Sequence, residues 1–185
     1  MRRVTLLMAT AVLACGSAVA LAEPVSQGFW STPAITGYGK IHLLPQSAYK
    51  PDSAQTYDIV FALTKGSQQP GEVNPSLDRV ARTVNLYVAS GVPLSQLHFV
   101  AVAYGEATSL TLDDAHYKAA YGVANPNLPL IAALRHAGVD IAVCGQAVAE
   151  HKFQYAWVDS SVTLALSALT TISTLEERGY HLVQL

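Results

Sequence analysis

Of the two cysteines in the chain, Cys144 stands where a buried strand should hand over to a helix, in the stretch AGVDIAVCGQA at residues 137–147. Gly138 suits the left-handed stop of a preceding helix. Val139, Ile141 and Val143 supply β-branched strand residues, and Gly145 permits a sharp turn or the close approach of a ligand. The sulfur is thereby expected at the carboxyl end of a strand, the edge at which open α/β sheets bind ligands. A helix beginning there turns its dipole and unpaired N–H groups toward a thiolate, the form that attacks or accepts sulfur. The competing assignment is inert packing, because free cysteine is among the most buried residue types. Gly145 and Gln146, at the start of the expected helix, are candidate substrate-binding residues. Lys65 and Tyr104, which follow or close two other apolar runs at the corresponding edge, complete that candidate set.

Other reactive side chains carry weaker signals. His42, His98, His116, His136, His151 and His181 show no H-x-x-x-H or other ligand spacing, so no metal site is assigned. Asp113, Asp114 and His116 lie close enough to invite a metal or acid–base reading, but aspartates ahead of a short helix are explained more simply as caps. Lys65-Gly66-Ser67 follows a strand yet lacks the glycine spacing of a phosphate loop, and neither G-x-S-x-G nor G-x-G-x-x-G occurs. No cofactor is implied.

The elements that must position these residues alternate along the chain. YDIVFAL at 57–63 and LHFVAVAY at 97–104 are near-continuous apolar runs of strand length, as expected for strands covered on both faces. Between them Asn74 caps a helix with Pro75 at its first position, carries Leu77, Val80, Ala81, Val84, Tyr87 and Val88 at helical spacing, and Gly91 ends it. A short helix reaches Tyr121, and another over 128–136 leads into the cysteine strand. A short helix is expected over 146–152, a brief strand near Val162, a last amphipathic helix through Leu164, Ala168, Leu169, Ile172 and Leu175 to Gly179, and a final strand over 180–185. This alternation predicts a three-layer α/β/α sandwich on a mostly parallel sheet.

Residues 1–22 read as an export signal: Arg2 and Arg3, an apolar stretch over 4–19, and the A-x-A site Ala20-Leu21-Ala22. A periplasmic or secreted protein is expected. Lipid anchoring at Cys15 is less favoured, since Val12-Leu13-Ala14-Cys15 matches a lipobox only loosely. Stable membrane insertion is not expected, because the apolar run is short and broken by Thr10, Gly16 and Ser17. Residues 23–55, rich in Pro, Gly, Ser and Tyr without a sustained period, read as an irregular arm lying on the domain at 56–185 or on a neighbouring subunit. Cleavage after Ala22 leaves Cys144 without a disulfide partner in the chain.

Charge argues against nucleic acid: removing Arg2 and Arg3 from the 11 basic residues leaves fewer than the 13 acidic ones, and no basic cluster stands out. Charged residues make up only 13% of the chain, about half the usual share. A surface so poor in charge points to a homo-oligomer.

Three segments together, NPSLDRVARTVNLY at 74–87, NPNLPLIAALRHAGVDIAVCGQAV at 125–148 and ALSALTTISTLEERGY at 165–180, resemble the DsrE/DsrF-like proteins, in particular their exported branch. The resemblance implies a five-stranded, mainly parallel sheet and assembly into homotrimers or hexamers. It also implies sulfur carried as a persulfide on the cysteine that follows a G-V-x-x-x-x-C strand, a position Cys144 matches. The function so implied is acceptance and transfer of sulfane sulfur, with a donor or acceptor protein as partner. A non-catalytic, homo-oligomeric ligand-binding or structural module of the same fold is the alternative.

Overall fold

YDIVFAL forms strand β1, Tyr57–Leu63, and its polypeptide neighbour in space, β2, spans Leu97–Ala103. The computed structural model describes residues 28–185; the expected export signal at 1–22, its expected cleavage site and Cys15 lie outside them. Helix α1, Pro75–Ala89, joins the first two strands. Its start follows the sequence: Asn74 Oδ1 accepts from the N–H groups of Ser76 at 2.9 Å and Leu77 at 3.2 Å, and proline occupies the first turn. Then come α2, Asp114–Tyr121; α3, Leu128–His136; β3, Asp140–Cys144; α4, Gly145–Glu150; β4, Thr163–Ala165; α5, Ala168–Glu177; and β5, His181–Gln184.

The strands form one five-stranded sheet in the order β4-β3-β2-β1-β5, and every pairing is parallel. This is the expected α/β fold, with the sheet wholly rather than mostly parallel. Strands β1 to β4 step in one direction, and the chain then crosses back to put β5 on the far side of β1. Right-handed crossovers of opposite direction place their helices on opposite faces, and the packing follows. On one face Phe61, Leu63, Phe99, Ile141 and Val143 pack under Leu77, Val80 and Val84 of α1 and Leu130, Ile131 and Leu134 of α3. Phe61 and Phe99 meet edge to face at 5.4 Å, a geometry worth about 0.5–1.5 kcal/mol beyond area burial. The other face is smaller: Val60, Val102, Ala142 and Cys144 pack with Ala168, Ile172 and Leu175 of α5.

The end of the chain departs from the sequence expectation. Leu164 belongs to β4 instead of opening the last helix, because Ala165 pairs with Cys144 and extends the sheet by one strand. Helix α5 starts only at Ala168, where Ser167 Oγ accepts from Leu169 N at 3.2 Å. Ala168, Ile172 and Leu175 then face the sheet, and Leu169, assigned to the apolar stripe by spacing, is 82% exposed. The helix after the cysteine is also earlier and shorter than expected, beginning at Gly145 and ending at Glu150.

Residues 28–55 contain no helix and no named strand, only a backbone bridge between Ser31 and Ile41. They are nevertheless held by one side chain. Asn85 of α1 is 0% exposed; its Oδ1 accepts from the N–H groups of Ala34 and Ile35, and its Nδ2 donates to the carbonyls of Tyr38 and Gly39. Gly39 also donates to Asp78 Oδ1 at 2.7 Å. At Gly39, where φ is +58°, a Cβ would fall 2.2 Å from the backbone nitrogen of Arg82, so only glycine permits the approach.

Candidate functional site

Cys144 is the last residue of β3 and the cap of α4. Its Sγ accepts from Ala147 N at 3.4 Å, and its backbone is extended, as a capping position requires. Strand alternation turns the side chain to the face covered by α5, where it joins Val60, Val102 and Ala142. Across from it, Ser167 Oγ lies 4.0 Å from Sγ while capping α5. The sulfur thus sits between the first turns of two helices, beside one hydroxyl and one N–H donor.

The thiol is free and buried, 5% exposed. The reason is the β4–α5 corner at residues 165–167, which rests on the start of α4. A Cβ on Gly145 would lie 2.8 Å from the carbonyl oxygen of Ala165 and 3.4 Å from that of Leu166. Gln146, exposed, donates its Nε2–H to the Leu166 carbonyl at 3.2 Å. In this conformation the two residues read from sequence as substrate-binding hold the corner in place.

Tyr104 and Lys65 part company. The register pairing Ala103 with Val143 brings Tyr104, half-buried, to the cluster that contains Cys144. Lys65 follows β1, which β2 separates from β3, and its carbonyl accepts from Asn74 Nδ2 at 2.8 Å. No hydrogen bond among the described residues joins it to the thiol. Ser167 escaped the sequence reading, although a serine just before an apolar helical run is itself a cap signal. Around the corner Leu164, Leu166 and Leu169 are 46%, 73% and 82% exposed.

The aspartates near His116 serve structure. Asp113 caps α2 by accepting from His116 N at 2.8 Å, and Asp114 Oδ1 accepts from Asn125 N at 2.8 Å. The backbone N–H of His116, reinforced by its ring, holds the Asp113 carboxyl below its ordinary value near 3.8 against a smaller opposing effect of burial. The His116 ring stacks on Trp157 at 4.7 Å. No group of three or more His, Cys, Asp or Glu side chains placed to hold a metal occurs among the described residues.

Chemically, the arrangement offers one guarded nucleophile and no acid–base pair beside it. A thiolate there can displace a thiol from a sulfane donor and carry the sulfur, provided the 165–167 corner lifts.

Comparison with known proteins agrees with the architecture. Residues 58–185 match the model of the DsrE/DsrF-like family. Among solved structures, the chain is similar to a protein of unknown function from Methanobacterium thermoautotrophicum, with a TM-score of 0.52 and 16% identity over 70% of this chain and 99% of that one. Identity at that level speaks to the fold alone. No curated protein matches the chain.

Proposed function

The chain belongs to the DsrE/DsrF-like family, and we propose that it is an exported sulfur carrier in which Cys144 accepts sulfane sulfur as a persulfide and passes it to another thiol. The observation that carries this reading is the placement of Cys144 at the β3–α4 junction, with the Ala147 N–H donated to its sulfur. The thiolate attacks the outer sulfur of a persulfide or polysulfide; a new S–S bond forms at Cys144, the donor's S–S bond breaks, and its electron pair leaves on the donor thiolate. Transfer to an acceptor thiol is the same exchange in the outward direction. No cofactor is required.

Export rests on residues 1–22, and the compartment gives the covered thiol a purpose. In an oxidising space an exposed persulfide is lost to oxidation and exchange. A sulfur 5% exposed under the 165–167 corner is shielded until that corner opens. The test is intact-mass measurement of the purified protein before and after polysulfide or thiosulfate: the proposal expects added sulfur that a reducing thiol removes, and it fails if no sulfur is gained.

Shielding by the corner makes its own prediction. In Gly145→Ala the added Cβ meets the Ala165 carbonyl at 2.8 Å, so the corner must move, at an overpacking cost of about 1–3 kcal/mol. Labelling of the folded variant by a thiol reagent should be faster than that of the wild type; an unchanged rate would mean that the corner is not the cover.

The same 5% exposure supports the second reading, a non-catalytic oligomeric module in which Cys144 only packs. Native wild type that reacts with thiol reagents only after unfolding favours that module.

Self-association is part of the proposal, as a trimer or hexamer. It is supported by the low charge fraction and by Leu164, Leu166 and Leu169, exposed together beside the covered thiol. Light scattering at micromolar concentration should give a mass above that of one chain, and Leu166→Asp with Leu169→Asp should shift it toward the monomer. A monomeric wild type rejects this part.

A further inference from the structure

We propose a second site, independent of Cys144, that binds a small organic cation such as a quaternary or primary ammonium. It is a cavity of about 320 Å³ at the carboxyl ends of β1 and β2, walled by the loop after β1, the first residues of the 3₁₀ segment Gly105–Thr111, and α2. Its size falls at the lower end of small-ligand pockets, about 300–1,000 Å³.

Two aromatic rings form one wall. Tyr117 and Tyr121, one turn apart on α2, lie with centroids 4.6 Å apart and planes at 43°, so their faces are set at an angle to each other. Tyr117 is buried, and its hydroxyl donates to the Pro70 carbonyl at 2.8 Å, which ties the loop carrying Gly66, Ser67 and Gln68 to the ring. Burial, and then Tyr121, raise the Tyr117 hydroxyl above its ordinary value of 10.0, so it remains a neutral donor. Tyr121 is partly open to solvent at the rim.

Glu106 supplies the charge. A Cβ built on Gly66 would lie 3.8 Å from its Oε2, which places the carboxylate against a residue with no side chain to cover it. Glu106 makes no ion pair among the described residues. Lys, Arg and His are absent from the lining; Lys65 and Lys118 belong to the same segments but do not line the cavity.

One unpaired carboxylate beside the open ring of Tyr121, which Tyr117 backs, selects the ligand by sign and by kind. An anion meets the like charge of Glu106 and no cationic side chain in the lining. A hard metal ion favours several charged oxygen ligands, and Glu106 is the one carboxylate in the lining. An alkylammonium satisfies both, since its charge pairs with the carboxylate and its methyl or methylene groups lie against the open Tyr121 ring.

The test titrates the full chain with choline, and in parallel with 3,3-dimethyl-1-butanol, its neutral isostere, following backbone amide shifts by NMR. Choline should produce saturable shifts at Gly66, Ser67 and Ser109, with the isostere binding at least about tenfold more weakly. Glu106→Gln, an exposed position whose folding is checked by circular dichroism, should weaken choline at least about tenfold, and Tyr121→Ala about fivefold. Equal binding of the isostere, choline affinity unchanged in Glu106→Gln, or the absence of saturable shifts in the wild type would each overturn the site.

Discussion

Cys144→Ser is expected to remain folded and to gain no sulfur from a polysulfide donor that loads the wild type. Serine retains the oxygen that a helix cap needs, so it can accept from Ala147 N as the sulfur does and preserve the start of α4. Ser167 Oγ, 4.0 Å from the sulfur, lies beyond hydrogen-bond distance of the shorter serine side chain, so burying the more polar group carries a cost. The net destabilisation should fall within about 1–3 kcal/mol. What disappears is the nucleophile, since an alcohol does not exchange with S–S bonds under mild conditions. Intact mass and thermal unfolding, measured on both proteins, separate the two readings. Retained sulfur uptake in the variant would locate the chemistry elsewhere; no uptake by the wild type, with a large drop in unfolding temperature on substitution, would make Cys144 a packing residue.

Asn85→Ala should cost about 3 kcal/mol of unfolding free energy and release residues 28–55 from α1. Four backbone groups lose their partner at once: the N–H groups of Ala34 and Ile35 and the carbonyls of Tyr38 and Gly39. Each buried polar group left unsatisfied costs about 1–3 kcal/mol, so the segment lowers the total by detaching and binding water instead. Detachment in turn exposes Ile35 and Ile41, both almost fully buried, and forfeits their apolar burial, about 1.5–3 kcal/mol for each such side chain. Denaturant unfolding and limited proteolysis check the two halves of the claim. A loss below about 1 kcal/mol with the segment still protected would mean that the apolar contacts hold it without Asn85.

Asn85 also marks the limit of reading this chain from its sequence. In the pattern of α1 it appears as one polar residue in an apolar stripe, between Val84 and the exposed Leu86, and nothing local says that its amide faces a segment 46 to 51 residues earlier. Asn127 behaves alike. It precedes α3 as a cap would, but makes no side-chain cap; its Oδ1 accepts from Asn74 N at 2.7 Å, joining the starts of two helices. By contrast, Asn74 and Asp113 cap the helices that directly follow them, and their roles were legible because the partners lie two or three residues away.

The candidate site divides on the same line. Strand β3, its end at Cys144 and the presence of a short helix after it were determined by the sequence alone, through β-branched residues, a glycine stop and alternation, all of them interactions within a few residues. The parallel α/β class followed from the order of such elements. Which face the sulfur occupies, what covers it, and whether Gln146 meets a ligand or the Leu166 carbonyl were decided only by the tertiary structure. The register of β4 against β3 sets where the 165–167 corner falls, and that register depends on packing between segments about twenty residues apart. Leu164 and Leu169 carry the same lesson: their spacing fits a helix face, but pairing of Ala165 with Cys144 draws the chain into the sheet, and the helix begins one turn later with Leu169 turned to solvent.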